Sequence, residues 1–103
     1  MLFKRQTMKT ENIIEIGIDD KERLFVKPKT EKFEFIYRDA SGVGWDTKER
    51  FLYSPKPTGM TYFDWYKQIL LAVKGEYGYE LKITSETNWT NIPNELKNQI
   101  CQQ

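Results

Sequence analysis

From Asn12 onward apolar side chains recur at every second position: Ile14, Ile16 and Ile18 alternate with Glu15, Gly17 and Asp19, the spacing of a strand with one buried face. The polar run Asp19-Asp20-Lys21-Glu22 predicts a turn, and Arg23-Leu24-Phe25-Val26-Lys27 predicts a return strand that Pro28 stops by removing a backbone donor. Phe33, Phe35 and Tyr37 then alternate with Lys32, Glu34, Ile36 and Arg38, which predicts a further strand. With a turn through Asp39-Ala40-Ser41-Gly42 and a return over Val43–Asp46, this segment predicts a second hairpin. Arg50-Phe51-Leu52-Tyr53 adds a short strand, or continues the preceding one past a bulge, until Pro55 and Pro57 end it.

The period changes after the prolines. Tyr62, Trp65, Tyr66, Ile69, Leu70 and Val73 follow the three-and-four spacing of an amphipathic helix, with Lys67, Gln68 and Lys74 on the other side. This stripe places Trp65 in the core. Thr61 is placed to cap the helix, Asp64 lies in its first turn where a carboxylate meets the positive end of the dipole, and Gly75 and Gly78 bracket its end. Tyr79, Leu81 and Ile83 alternate again as a last strand, and Pro93 opens a terminal helix whose Ile92, Leu96 and Ile100 share one side.

This order predicts an α+β two-layer sandwich: a mainly antiparallel sheet of about 5 strands, one long amphipathic helix packed on it, and a short C-terminal helix. At 103 residues the chain has the size of one domain, assigned to residues 12–103, with residues 1–11 a polar N-terminal segment that can be disordered.

Composition narrows the chemistry. Aromatic residues make up 15% of the chain, including Trp45, Trp65 and Trp89, yet there is no histidine and only Cys101 as a thiol. No familiar zinc constellation can be assembled from this set, and neither a metal nor a cofactor is expected. One cysteine excludes an intrachain disulfide and points to a reducing, cytoplasmic setting. Sixteen basic against fifteen acidic side chains leave a net charge of +1, with no chain-wide attraction to nucleic acid or acidic membranes. The N-terminus lacks a signal-type apolar region, and no stretch approaches the ~18 apolar residues of a membrane span.

Carboxylates remain the candidate acids and bases, and Asp39, Asp46 and Asp64 lie nearest loops and element ends. Each also has a structural role: closing a turn, ending a strand, starting a helix. Asp19, Asp20 and Glu22 lack the further oxygen ligands of a calcium loop, and Gly42-Val43-Gly44 lacks the Gly-Lys-Ser/Thr ending of a phosphate loop, so both read as turns. Phe33, Phe35 and Tyr37 beside Lys27, Lys29, Lys32 and Arg38 have the ingredients of a single-strand stacking surface, but Glu31, Glu34 and Asp39 among them oppose phosphate binding. Trp45 stands near a turn and Trp89 in the polar run Thr87-Asn88-Trp89-Thr90-Asn91, so each can either cover the core edge or face a partner.

The run Tyr37-Arg38-Asp39-Ala40-Ser41-Gly42-Val43-Gly44-Trp45-Asp46, then Phe51-Leu52-Tyr53-Ser54 and the Trp65-centred helix, resembles small uncharacterised bacterial proteins carried on mobile gene cassettes. The resemblance extends over most of residues 12–100. The compact α+β build is also similar to some immunity proteins that neutralise bacterial toxins, although many of those are markedly acidic and this chain is not. Together these readings favour a non-enzymatic module that holds a protein partner, such as a toxin, through Trp45, Tyr53 and Trp89 or a sheet edge. The alternative is a small-molecule binder or carboxylate-dependent enzyme whose pocket between helix and sheet is lined by Tyr53, Tyr66 and Trp45.

Overall fold

The computed structural model describes residues 9–36 and 41–102. The first hairpin forms as expected from β1 (Lys9–Ile18) and β2 (Leu24–Pro28), paired antiparallel. Its turn is closed by Asp19, whose carboxylate accepts the Lys21 N–H at 3.0 Å and the Arg23 N–H at 2.9 Å. An aspartate closing the backbone two residues on is the usual chemistry of such a turn. β1 begins three residues ahead of Asn12, so Glu11 sits inside the strand and is buried.

Strict alternation along β1 does not hold. Both ladders flanking it shift register between Ile13 and Glu15, so the buried pair is Ile13 and Ile16, while Ile14, expected inward, is only half-buried. A bulge moves every later side chain to the other phase, which is why a period-two count through the isoleucines misassigns one of them. The bulge is answered on β5 (Tyr79–Thr90), the strand parallel to β1, where Ile83 pairs with Ile13 but Asn88 pairs with Glu15. Within the intervening loop-out the buried Thr87 hydroxyl donates to the Ile13 carbonyl at 2.6 Å, tying the two strands together where the register shifts.

Among the described residues the second expected hairpin does not form. Residues 33–36 form a turn in which the Ile36 N–H donates to the Phe33 carbonyl at 3.2 Å. Phe33 is fully buried and Ile36 nearly so, whereas Phe35 is 87% exposed, a three-residue spacing that the aromatic alternation conceals. Tyr37, Arg38 and Asp39 lie outside the described residues. β3 (Gly44–Asp46) instead pairs with β4 (Phe51–Tyr53), giving the strand order β3-β4-β2-β1-β5. Gly42-Val43-Gly44 is therefore the entry to β3 rather than the turn of a hairpin.

The long helix α1 (Tyr62–Tyr77) carries the expected Thr61 cap, completed as a capping box: the Thr61 hydroxyl accepts the Asp64 N–H and the Asp64 carboxylate accepts the Thr61 N–H. Its end is set by Gly78 at φ 73°, while Gly75 lies within the helix rather than at its end. Tyr66, Ile69, Ala72 and Val73 are buried. Trp65 is not in the core centre; it is half-buried at the rim, its ring 2.8 Å from where a Cβ on Gly42 would stand. The short helix α2 (Asn94–Cys101) follows Pro93 and buries Leu96 and Ile100.

Core residues of both helices form one cluster with Ile13, Ile16, Leu24, Val26 and Leu52, so the helices share one sheet face and the two-layer α+β sandwich is borne out. The sheet is mixed, antiparallel except for the β1–β5 pair. Trp89, expected in a loop, lies within β5, because the loop-out at Thr84–Thr87 interrupts the apolar period without ending the strand.

On the face away from the helices, aromatic rings approach glycines closely. A Cβ on Gly17 would stand 2.4 Å from the Phe25 ring and 3.0 Å from the Thr90 Cβ. Gly17→Ala is therefore expected to destabilise the fold by about 1–3 kcal/mol, as overpacking does. Gly75→Ala, with nothing within 4 Å and a helical backbone, should stabilise by about 0.5–1 kcal/mol. Urea unfolding of the two variants checks the opposite signs; a neutral Gly17→Ala would mean that the Phe25 ring moves aside freely.

Candidate functional site

Residues paired across a ladder point to the same side of the sheet, which assigns the two faces. Val26 pairs with Leu52 and Trp45 with Leu52, so all three face the helices. Phe25 pairs with Tyr53, Gly44 with Tyr53 and Asp46 with Phe51, so these face away from them, joined by Arg23 two residues before Phe25.

Among the described residues no helix covers this face, and its side chains form a built surface. Phe25 and Phe51 stack with ring centroids 4.4 Å apart at 16°, and each is 6% exposed. The Tyr53 ring lies over Gly44, whose Cβ would come within 2.6 Å of it. Above Tyr53, at 4.3 Å from the ring centroid, sits the Arg23 guanidinium, 6.0 Å from the Phe51 ring. Two carboxylates hold it there: Asp19 Oδ2 at 2.8 Å from Nε and Asp46 Oδ2 at 3.6 Å from Nη2. A guanidinium fixed over an aromatic face gains cation–π attraction and gives up most of its side-chain freedom before any partner arrives. Around it Glu15, Lys27, Lys48 and Asn91 help to line a shallow depression of about 540 Å³, and Glu15 accepts the Thr90 hydroxyl at 2.6 Å.

Both aspartates are committed to structure. Partial burial pushes the Asp19 carboxyl up, but hydrogen bonds from the Arg23 N–H and guanidinium and from the Lys21 N–H outweigh it and hold the group below the usual carboxylate range. For Asp46 the Glu49 N–H is the chief cause of a lowered pKa, opposed by slight burial and assisted by the Lys48 N–H and Arg23. Asp64 is lowered as well, first by the Thr61 N–H of the capping box. A proton donor near neutral pH requires a raised carboxyl, the opposite direction. Asp39 lies outside the described residues.

The three aromatic residues picked from the sequence are not brought together. Tyr53 is on the open face; Trp45 is on the helix side, half-buried and edge-on to Phe33 at 6.1 Å; Trp89 is also half-buried on the helix side, with Lys97 Nζ 5.0 Å from its ring. The expected pocket of Trp45, Tyr53 and Tyr66 does not form, since Tyr53 is across the sheet from Tyr66, which is only 1% exposed in the core. Phe33, offered for base stacking, is likewise fully buried.

Arg23, the centre of the open face, is not singled out by the apolar period, although Arg23, Phe25 and Lys27 alternate with Leu24 and Val26, two faces each able to bury apolar area, one of them carrying cations at both ends. Among the described residues no helix is long and apolar enough to cross a membrane.

A family model described as Integron Cassette Protein Hfx_Cass5 matches residues 11–87. A solved structure from the mobile metagenome of the North West Arm Sewage Outfall, described as Integron Cassette Protein Hfx_Cass5, is 38% identical over 93% of this chain and 96% of that one, with a TM-score of 0.48. Comparison with curated proteins finds no match.

Proposed function

The chain belongs to the Hfx_Cass5 family of integron cassette proteins, in line with the resemblance to mobile-cassette proteins, and on that premise we propose that it is a non-enzymatic module that binds a protein partner on the open face of its sheet. The carrying observation is Arg23, held over Tyr53 by Asp19 and Asp46 beside the Phe25–Phe51 stack. Arginine and tyrosine are, with tryptophan, the side chains enriched among the residues that dominate binding energy at interfaces, and prior fixation lowers the ordering cost of contact. A rim of both signs, with Lys27 and Lys48 near Glu15 and Glu49, suits a folded protein surface better than a polyanion. A toxin neutralised by occlusion is the kind of partner such a module would serve. Asp46 and Asp64, lowered by the local N–H groups they bind, are unsuited to act as general acids.

The test begins with capture from bacterial lysate on the immobilised full chain, identification by mass spectrometry, and titration of the purified partner. Arg23→Ala and Lys27→Glu, each confirmed as folded by circular dichroism, are expected to weaken binding by about 2 kcal/mol or more and by roughly 1 kcal/mol, respectively. Amide shifts induced by the partner should centre on β2 and β4. Unchanged affinity in both variants, or shifts confined to α1 and α2, would overturn the open-face assignment.

A further inference from the structure

β5 ends the sheet, and along Tyr79–Ile83 its outer edge has no strand beside it among the described residues. Beyond Ile83 the edge is closed off by its own side chains: the Thr84 N–H donates to the Thr87 hydroxyl at 2.9 Å and the Glu86 N–H to the Thr84 hydroxyl at 3.1 Å. The open part is thus a five-residue segment whose side chains alternate cleanly. Leu81 packs into the core with Tyr79 and Ile83 against it, while Glu80 and Lys82 point the other way, exposed and 3.9 Å apart. Next to this edge lies an apolar groove formed by Leu70, Leu71 and Leu81 with Lys67, Lys74 and Glu80 around it, and Leu71 is 62% exposed.

We propose that this edge binds a second copy of the chain, β5 against β5 in antiparallel orientation about a two-fold axis at Leu81. The occupant follows from the charge pattern. With Leu81 opposite Leu81 of the other copy, Glu80 stands opposite Lys82 and Lys82 opposite Glu80, and Tyr79 faces Ile83. Shifting the register by two residues in either direction sets Glu80 opposite Glu80, or Lys82 opposite Lys82. Opposite charges directly across a pair of strands stabilise it and like charges oppose it, so the two charges select one register and one partner strand, its own. An unprotected edge is otherwise blunted by residues that repel pairing, and here the same residues complement each other. The two-fold arrangement is isologous and closes at two copies. It places the helices of both copies on one side of a continuous sheet, where the Leu70–Leu71 groove of each is brought to the junction and partly covered. This interface is separate from the open face and does not depend on its reading.

Size-exclusion chromatography with light scattering and sedimentation equilibrium test it on the full chain. The protein is expected to run as a dimer. Lys82→Glu and Glu80→Lys, both at exposed positions, should each raise the dissociation constant at least tenfold, roughly, because two attractive cross-strand pairs become repulsive. The double reversal Glu80→Lys with Lys82→Glu should bring the constant back to within about threefold of the starting protein, since complementarity is restored. A monomer at about 0.5 mM, single reversals that leave the dimer intact, or folded single variants that the double reversal does not rescue would each overturn the proposal.

Discussion

Phe33→Ala is expected to lower the free energy of unfolding by about 3–5 kcal/mol, the range for deleting a fully buried aromatic ring. Phe33 belongs to no strand or helix, yet it is the point at which three elements meet. Its ring is edge-on to Trp45 of β3 at 6.1 Å, Tyr77 of α1 at 4.9 Å and Tyr79 of β5 at 5.6 Å. Edge-to-face contacts add to the transfer term, and a cavity among three rings closes poorly because none can shift without leaving its own element. Phe35→Ala is the internal comparison. Phe35 is 87% exposed, so its loss should change stability by under about 0.5 kcal/mol. Urea unfolding followed by tryptophan fluorescence measures both. If the segment were the strand suggested by its alternation, Phe33 and Phe35 would share a face and cost similar amounts; equal losses would therefore refute the turn.

Glu11→Ala should be the most damaging change to a charged residue, at about 2–4 kcal/mol. The side chain is buried, and its carboxylate accepts the Thr30 N–H at 2.6 Å, the Thr30 hydroxyl at 2.9 Å and the Glu31 N–H at 3.1 Å. These bonds tie β1 to the segment that follows β2 and so set where the chain turns toward Phe33. Alanine removes the acceptors and leaves the donors without partners, which costs more than the net worth of the bonds. Glu11→Gln keeps one acceptor oxygen and should lose only about half as much. Thermal or urea unfolding of the pair decides; a Glu11→Ala loss under about 1 kcal/mol would mean that water replaces the carboxylate.

Glu11 also shows where pattern reading stops. Met1 to Glu11 offers no period, so nothing local says that the last of these residues is buried; its partners are 19 and 20 positions away. Trp89 is a parallel case. Its polar neighbours hide it from a periodicity count, while its strand is specified by pairing with Ile16 on β1. Tyr53 can be named from the sequence as a contact residue, but the guanidinium above it comes from Arg23, thirty positions earlier, and their meeting depends on β2 and β4 being neighbours.

What the sequence determined by itself are the features made by groups a few residues apart. The Thr61–Asp64 capping box, the left-handed Gly78, the Asp19 turn joining β1 to β2, and the Leu96–Ile100 side of α2 all rest on such short-range hydrogen bonds, dihedral preferences or helical spacing. Tertiary structure alone decided which face of β2 the helices cover, because Leu24 and Val26 on one side and Phe25 on the other are equally able to bury apolar surface. It also decided that β5 runs parallel to β1 as the outer strand, that Phe33 fills the core from a turn, and that Arg23 is held over Tyr53. Each of these depends on contacts between distant segments, whose free energy belongs to the packed arrangement and leaves no period in either segment taken alone.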